Sequence, residues 1–291
     1  MLIPNEDGFA FAKKQGVYST QKLTVRCFKL YADGALGSRG ALLKEAYCDH
    51  KQSKGLQLHS ADYFDSMCIR IGSLGYQVAA HAIGDSANKL ILNAYRFNHY
   101  IDPRFPTFAA QIPTRWRIEH AQVVDTADIG LFKRNIIPSV QPTHATSDMY
   151  WAGDRLCKDR LKIAYPYKKL LDISGTIALG TDFPVEDISP VKTFYAAVFR
   201  KDAKGYPKGG FQMENALTRL QALKGMTTWA AYSNFEETKK GMIKAGMDAD
   251  FVILDTDIMK VQENKILKAK VIATCIFGKE VYRLKTVTSG K

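Results

Sequence analysis

An α/β fold built on a parallel sheet is what this sequence predicts, on three observations. Short apolar runs alternate with segments of helical periodicity five times, at intervals of about 25–50 residues. The runs end near Lys29, His81, His120, His144 and Asp182, where loops or helices begin. The chain has 291 residues, 46% hydrophobic and 24% charged, enough apolar side chains for a large core. Periodicity alone leaves both an open sheet and a closed barrel available.

Residues 1–20 carry little pattern beyond the loop formers Gly8, Gly16 and Ser19-Thr20. Leu23 to Tyr31, rich in β-branched and aromatic residues, predicts the first strand. It closes on the glycine-rich loop Ala32-Asp-Gly-Ala-Leu-Gly-Ser-Arg39, and residues 44–58 read as a polar loop suited to covering a site. Ser60 caps a helix predicted over 61–73, with Tyr63, Phe64, Met67, Ile71 and Leu74 on one side. Residues 76–80 are too few and too continuously apolar for an amphipathic helix, and predict a buried strand ending at His81. Ala87, Leu90, Ile91, Ala94 and Tyr95 recur at helical spacing, so a helix follows over 86–97 with Asp85 or Ser86 as N-cap.

Pro103, Pro106 and Pro113 make 99–114 a loop. A third strand runs from Arg115 to His120, with a helix over about 125–134. The fourth starts at Ile136 and ends in Gln141-Pro-Thr-His144, before a polar-aromatic loop over 145–160 and a helix near 165–174. The fifth, 176–182, ends on Asp182 and precedes a helix over about 190–200. A loop rich in glycine and lysine over 201–215 leads to a helix over 216–233. From Gly241 the texture changes: 241–255 and 270–282 read as strands, the second a hairpin around Gly278-Lys279. The division expected is 1–238 and 239–291.

The net charge of +12 is spread over dispersed lysines, with no basic run interleaved with aromatics, which argues against nucleic acid as a partner. No 18-residue apolar segment is present, so no membrane-spanning helix is expected. The first residues lack the basic and apolar regions of a signal peptide. Five cysteines (27, 48, 68, 157 and 275) form no C-x-x-C, and fit reduced thiols and a cytoplasmic location.

Histidines and an aspartate at separate strand ends make a metal-site pattern. Neutral imidazole and carboxylate suit Zn²⁺, which lowers the pKa of a bound water to about 7. An aspartate beside it can move a proton to the leaving group. Singly, each residue has a plain structural reading. A histidine after an apolar run is commonly hydrogen-bonded in a core, and Asp182 in Gly-Thr-Asp-Phe-Pro suits a turn. Lys29, between Phe28 and Leu30, suits a snorkelling side chain. A second enzymatic reading makes Lys29 a Schiff-base nucleophile of aldolase type, leaving the histidines and Asp182 without a role.

His81-Ala-Ile-Gly-Asp85, Arg117-Ile-Glu-His120-Ala-Gln122, Gln141-Pro-Thr-His144 and Leu179-Gly-Thr-Asp182-Phe-Pro, in that order, resemble the amidohydrolase superfamily. The likeness is closest to its amidohydrolase-3 branch, which contains the N-substituted formamide deformylases. Phe28-Lys29-Leu-Tyr-Ala-Asp33-Gly34-Ala-Leu-Gly-Ser-Arg39 resembles that branch's strand-four signature. Gly241 to Leu254 resembles its return to a small β-sandwich. The resemblance runs from about residue 20 to 285. It implies strands four to eight of a partial TIM-type β/α barrel, followed by a β-sandwich piece.

The activity so implied is metal-dependent hydrolysis of non-peptide C–N bonds in small amide- or formamide-type substrates. By resemblance His81 and His120 are metal ligands, Asp182 is both ligand and general acid/base, and Lys29, if carboxylated, is a further ligand. The divalent metal implied is Zn²⁺. His144 and Gln141 would face the substrate, with Arg39 and Asp33 as further contacts, while Asp85 caps its helix or orients a ligand. Tyr150, Trp151, Arg155 and Lys208, on loops 145–160 and 201–215, would frame the pocket. The branch's pattern begins with a sandwich portion and a strand-one His-x-His; this sequence has no His-x-His, and its first histidine is His50. Lacking that N-terminal third, the chain is expected to hold at most one well-formed metal site and to expose open sheet edges. A homo-oligomer or a separate N-terminal chain would be its partner; the alternative is a relic that no longer catalyses.

Overall fold

A computed structural model describes residues 1–98, 115–133 and 135–285, so the loop expected over 99–114 lies outside the described residues. Contacts divide the chain into one unit of 1–140 with 147–177, and another of 141–146 with 178–291. The textural change near residue 239 and this division by contacts therefore fall at different places.

The first unit opens with α1 (Glu6–Gln15), in a stretch where the sequence suggested only loops around a short segment. Asn5 caps it by accepting from the Gly8 N–H at 2.9 Å, with Glu6 and Asp7 in the first turn and Lys13 and Lys14 in the last. The short strands β1 (Tyr18–Ser19) and β2 (Thr24–Val25) pair antiparallel, and the predicted strand 23–31 contracts to β3 (Cys27–Tyr31). Next come α2 (Ala61–Ser73), β4 (Gln77–Ala82), α3 (Asp85–Asn98), β5 (Arg117–His120) and β6 (Ile137–Val140). Ser60 caps α2 as expected, accepting from the Tyr63 N–H at 3.2 Å.

β3, β4, β5 and β6 form successive parallel pairs, with Lys29 opposite Ala79, Ala79 opposite Arg117, and Arg117 opposite Ile137. Period-two alternation gives the sheet two distinct faces. Phe28, Leu30, Val78, Ala80 and Ile118 share one parity, are all 1% exposed or less, and form the core with α2 and α3. Lys29, Tyr31, His81, Arg117, Glu119 and Ser139 share the other. At the outer edge of β3, Leu2 pairs in parallel: its N–H donates to the Cys27 carbonyl at 2.7 Å, and its carbonyl accepts from the Lys29 N–H at 2.9 Å.

Further expectations change. The helix predicted over 125–134 is a 3₁₀ turn, Ile129–Lys133. There the Asp125 side chain takes the Ala127 N–H at 2.9 Å and competes with helical bonding. The loop predicted over 145–160 is largely helical, as α4 (Pro142–Asp148) and α5 (Ala152–Leu161). Its burial rests on few side chains, Ala152 and Leu156 in α5, which is why the polar surface masked it. α6 (Tyr167–Ser174) closes the unit as predicted, ending on left-handed Gly175.

The cysteines supply another correction. Cys48 and Cys157 form a disulfide with Cα atoms 5.8 Å apart and a sequence separation of 109, while Cys27, Cys68 and Cys275 are free. Pairing over that separation leaves no local spacing signal. Disulfides persist in oxidising surroundings, so scattered cysteines no longer support a reduced, cytoplasmic setting.

The second unit contains β7 (Ala178–Leu179), α7 (Pro190–Phe199), α8 (Arg219–Met226) and α9 (Thr228–Ser233). Thr218 and Gln221 form a reciprocal capping box at α8. The predicted single helix 216–233 breaks at Thr227, whose φ and ψ are −127° and −89° and whose hydroxyl donates to the Leu223 carbonyl at 2.7 Å. β8 (Phe251–Leu254), α10 (Glu263–Ile266), β9 (Val271–Ile276) and β10 (Lys279–Arg283) complete it, the strands forming an antiparallel sheet in the order β10-β9-β8. The β9–β10 turn uses left-handed Phe277 and Gly278, φ 50° and 70°, one residue earlier than predicted. Glu263 ties α10 to α7 and its following loop, accepting from Tyr195 and Lys201, each at 2.8 Å. Among the described residues no helix is long and apolar enough to cross a membrane.

Candidate active site

His81 lies on the second-face parity of β4, opposite Tyr31 of β3 and Glu119 of β5. His120, at the end of β5, has the other parity and would follow Ile118 onto the helix-covered face in a regular strand. Instead His120 and Ala121 adopt positive φ, 78° and 42°. Two consecutive left-handed non-glycine residues are costly and occur where surrounding structure holds them. Here the turn brings the His120 ring to 4.4 Å from that of His81, edge-on at 67°. Sequence reasoning placed both histidines at strand ends, and the fold brings them together.

Below them on the same face lies a buried charge network that sequence reasoning did not assign. Arg117 Nε donates to Glu119 Oε1 at 2.8 Å, and Arg117 Nη1 donates to Gln77 Oε1 at 2.9 Å. Burial pushes the Glu119 carboxyl up, but Arg117, Lys29 and the Ser139 side chain outweigh it and hold it below the ordinary carboxylate range. Lys29 lies on this face, its Nζ 5.1 Å from the centre of the Tyr31 ring. The available signal was two charged residues at i and i+2 within an otherwise apolar strand. Burial, then the Lys29 cation, pushes His81 from 6.5 down to about 4, against the Gly34 backbone and Glu119. The ring is therefore neutral at ordinary pH, the form that binds metals.

Asp33 does not present itself to a substrate. Its side chain is 0% exposed and accepts from three backbone N–H groups: Ile83 at 3.0 Å, Gly84 at 2.8 Å and Leu42 at 2.8 Å. Burial raises its carboxyl to about 7 despite those bonds. Asp85 is the first residue of α3 and accepts from the Ser86 N–H at 3.0 Å and the Lys44 N–H at 2.9 Å. Arg39 commits its guanidinium to Asp49, at 3.1 and 2.9 Å, and Arg155 joins the same carboxylate while donating to the Gly37 carbonyl at 3.1 Å. Both arginines fasten the glycine-rich loop to α5. Gln122 and Tyr165 both donate to Asp148, at 2.8 and 2.9 Å, a bracing group that sequence reasoning missed.

In the second unit, His144 falls in the first turn of α4 rather than on a strand, its N–H donating to the Gln141 carbonyl at 3.0 Å. Both side chains are buried. Asp182 has a left-handed φ of 58° and a half-exposed carboxylate, with Oδ2 3.9 Å from His144 Nε2. Tyr150 and Lys208 are exposed. Among the described residues no three His, Cys, Asp or Glu side chains come together as a metal site. The imidazoles of His81 and His120 nevertheless fit a metal as part of a ligand set.

The family model described as "Amidohydrolase family" matches residues 3–282, nearly the whole chain. The chain belongs to that family. Within it, the chain is 33% identical over 255 residues to amidohydrolase YtcJ of Bacillus subtilis (strain 168), covering 87% of this chain and 46% of that protein. It is 23% identical over 258 residues to the N-substituted formamide deformylase of Arthrobacter pascens, covering 86% and 44% respectively. Among solved structures, an uncharacterized metal-dependent hydrolase from Pyrococcus horikoshii OT3 superposes with a TM-score of 0.76 at 29% identity, over 90% of this chain and 51% of that one. This amidohydrolase-family chain thus spans about half the length of the relatives it matches. Its fold class is α/β, as the sequence predicted.

Proposed function

We propose that this chain is the metal-ligating part of a hydrolase that cleaves non-peptide C–N bonds in small amide- or formamide-type substrates. The observation that carries this reading is the His81–His120 pair, assembled by a left-handed strand end within a matching amidohydrolase chain. His81 and His120 would hold a divalent cation through their ring nitrogens, with Lys29 joining them if carboxylated. A divalent cation there, Zn²⁺ by donor type, supplies Lewis acidity and lowers the pKa of a water to about 7. By its family motif Asp182 would be the general acid/base, taking a proton from water and giving one to the leaving nitrogen. His144 and Gln141 orient the substrate.

The test is hydrolysis of N-substituted formamides and simple N-acyl amines by the zinc-reconstituted chain, read as released amine. Asp182→Asn is expected to abolish turnover with an unchanged circular dichroism spectrum; turnover at the wild-type rate in that variant overturns the assignment. The half-length match to the relatives favours a second reading, in which these residues form one part of a catalytic unit and turnover needs further chain. Turnover that appears only on adding the other half of a relative would select it.

A further inference from the structure

We propose that Asp33 is a positioning residue for His81, holding the imidazole in the tautomer with its proton on Nε2 and its lone pair on Nδ1. This rests on the metal-ligand reading of His81 above.

Asp33 lies two residues beyond β3, and its carboxylate reaches across to the end of β4. An ionised carboxylate offers about four lone-pair directions. Three are used here: one on Oδ1 by the Ile83 N–H, and two on Oδ2 by the Gly84 and Leu42 N–H groups. The remaining direction belongs to Oδ1, and that oxygen lies 3.5 Å from His81 Nε2. Nε2 is itself shut off from solvent and makes no hydrogen bond, so its contact with Oδ1 is an electrostatic one. A bare imidazole lone pair facing a carboxylate oxygen in a buried site is repulsive, whereas an N–H there is attracted to it. The proton of the neutral ring therefore belongs on Nε2, and Nδ1 keeps the electron pair that a metal requires. Metal-ligating histidines commonly direct their second ring nitrogen at such a partner.

The carboxylate is fixed from all sides. A Cβ on Gly84 would collide with the Leu42 carbonyl, so the loop backbone lies flush against the strand end. The His81 ring is also bounded by His120 at 4.4 Å and Tyr31 at 5.7 Å. Asp85 makes an informative contrast. It pins the same loop through the Lys44 N–H and accepts from the Ser86 N–H in the first turn of α3, rather than holding His81.

The experiment is a long-range ¹H–¹⁵N correlation of the histidine rings in the metal-free full chain at pH 8.5, with His81 assigned from the His81→Gln spectrum. Zinc titrations of the same proteins accompany it. The wild type is expected to show the Nε2–H tautomer. Asp33→Asn, which can turn an amide N–H toward the ring, is expected to shift the population toward Nδ1–H and to weaken zinc binding on the order of 10–100-fold. Asp33→Glu keeps the anion and is expected to restore the Nε2–H form. Asp85→Asn is expected to loosen the loop while leaving both tautomer and zinc affinity unchanged.

An Nδ1–H tautomer in the wild type overturns the proposal, and that measurement stands even if a variant fails to fold. So does an unchanged tautomer in folded Asp33→Asn. If the tautomer follows Asp33 but no protein binds zinc, the positioning role holds and the metal reading falls. If zinc binds equally to all while the tautomer ignores Asp33, the converse is true.

Discussion

Replacing Glu119 with glutamine tests the buried charge network on which the candidate site rests. Arg117 and Glu119 are joined at 2.8 Å with side chains only 9% and 12% exposed, and Lys29 contributes a second cation to the carboxylate. Two unit charges about 4 Å apart interact by roughly 4 kcal/mol at an effective dielectric constant of 20. Glutamine keeps the shape and can still bond to Ser139, but it leaves the Arg117 cation buried without its counter-charge. Removing one partner of such a pair typically costs about 3–5 kcal/mol. Because Gln77 still accepts from Arg117, the lower end applies, about 3 kcal/mol.

The assay is urea unfolding followed by circular dichroism at pH 7.5, with Arg117→Gln and the double variant completing a cycle. Glu119 titrates below its unfolded value, so its stabilisation is present above the unfolded pKa and disappears as pH falls through the folded one. The gap between wild type and Glu119→Gln is therefore expected to close in acid. A loss below about 1 kcal/mol at pH 7.5, or a gap that widens toward acid, would refute the reasoning.

Reduction of Cys48–Cys157, or Cys48→Ser, is expected to lower stability by about 4–5 kcal/mol on the chain-entropy model for a link across 109 positions. Unfolding with and without dithiothreitol measures it, and coincident curves would show that the link is absent or inert. His81 and Asp33 give opposite pH dependences. His81 falls from 6.5 to about 4 on folding, so its contribution is full above 6.5 and about 3 kcal/mol is lost as pH drops to 4. Asp33 rises from 3.8 to about 7, so its contribution is full below 3.8 and is lost as pH rises through 7. Asp33→Asn should therefore steepen the loss of stability in acid and His81→Gln should reverse it; parallel profiles in urea midpoints would contradict both assignments. Gly84→Ala forces the Leu42 backbone away and is expected to cost more than about 2 kcal/mol in a thermal melt; a loss of a few tenths would mean that the loop yields freely.

Much of this architecture was legible because strands and helices bury faces of different period. The run ending at His81, the spacing of Ala87 to Tyr95 and the cap at Ser60 all appear where expected. Other features depend on partners remote in sequence. Asp33 takes N–H groups from positions 9, 50 and 51 residues away, so a glycine-rich turn conceals a tie between two strand ends. The Cys48–Cys157 pair is hidden for the same reason. α1 was detectable from the Asn5 cap with Glu6 and Asp7 behind it, a polar signal that a search for apolar periodicity passes over. α5 is obscured by its break at Cys157, where φ is 56°, and by its sparse buried side. The union of His81 with His120 depends on two left-handed residues that no periodicity predicts.

The most direct test of the central claim is zinc bound per purified chain, by elemental analysis, in wild type, His81→Ala and His120→Ala. About one zinc in the wild type, lost in both folded variants, is expected if the ends of β4 and β5 form the metal-ligating centre. A folded wild type without zinc, or zinc retained by both variants, would contradict it.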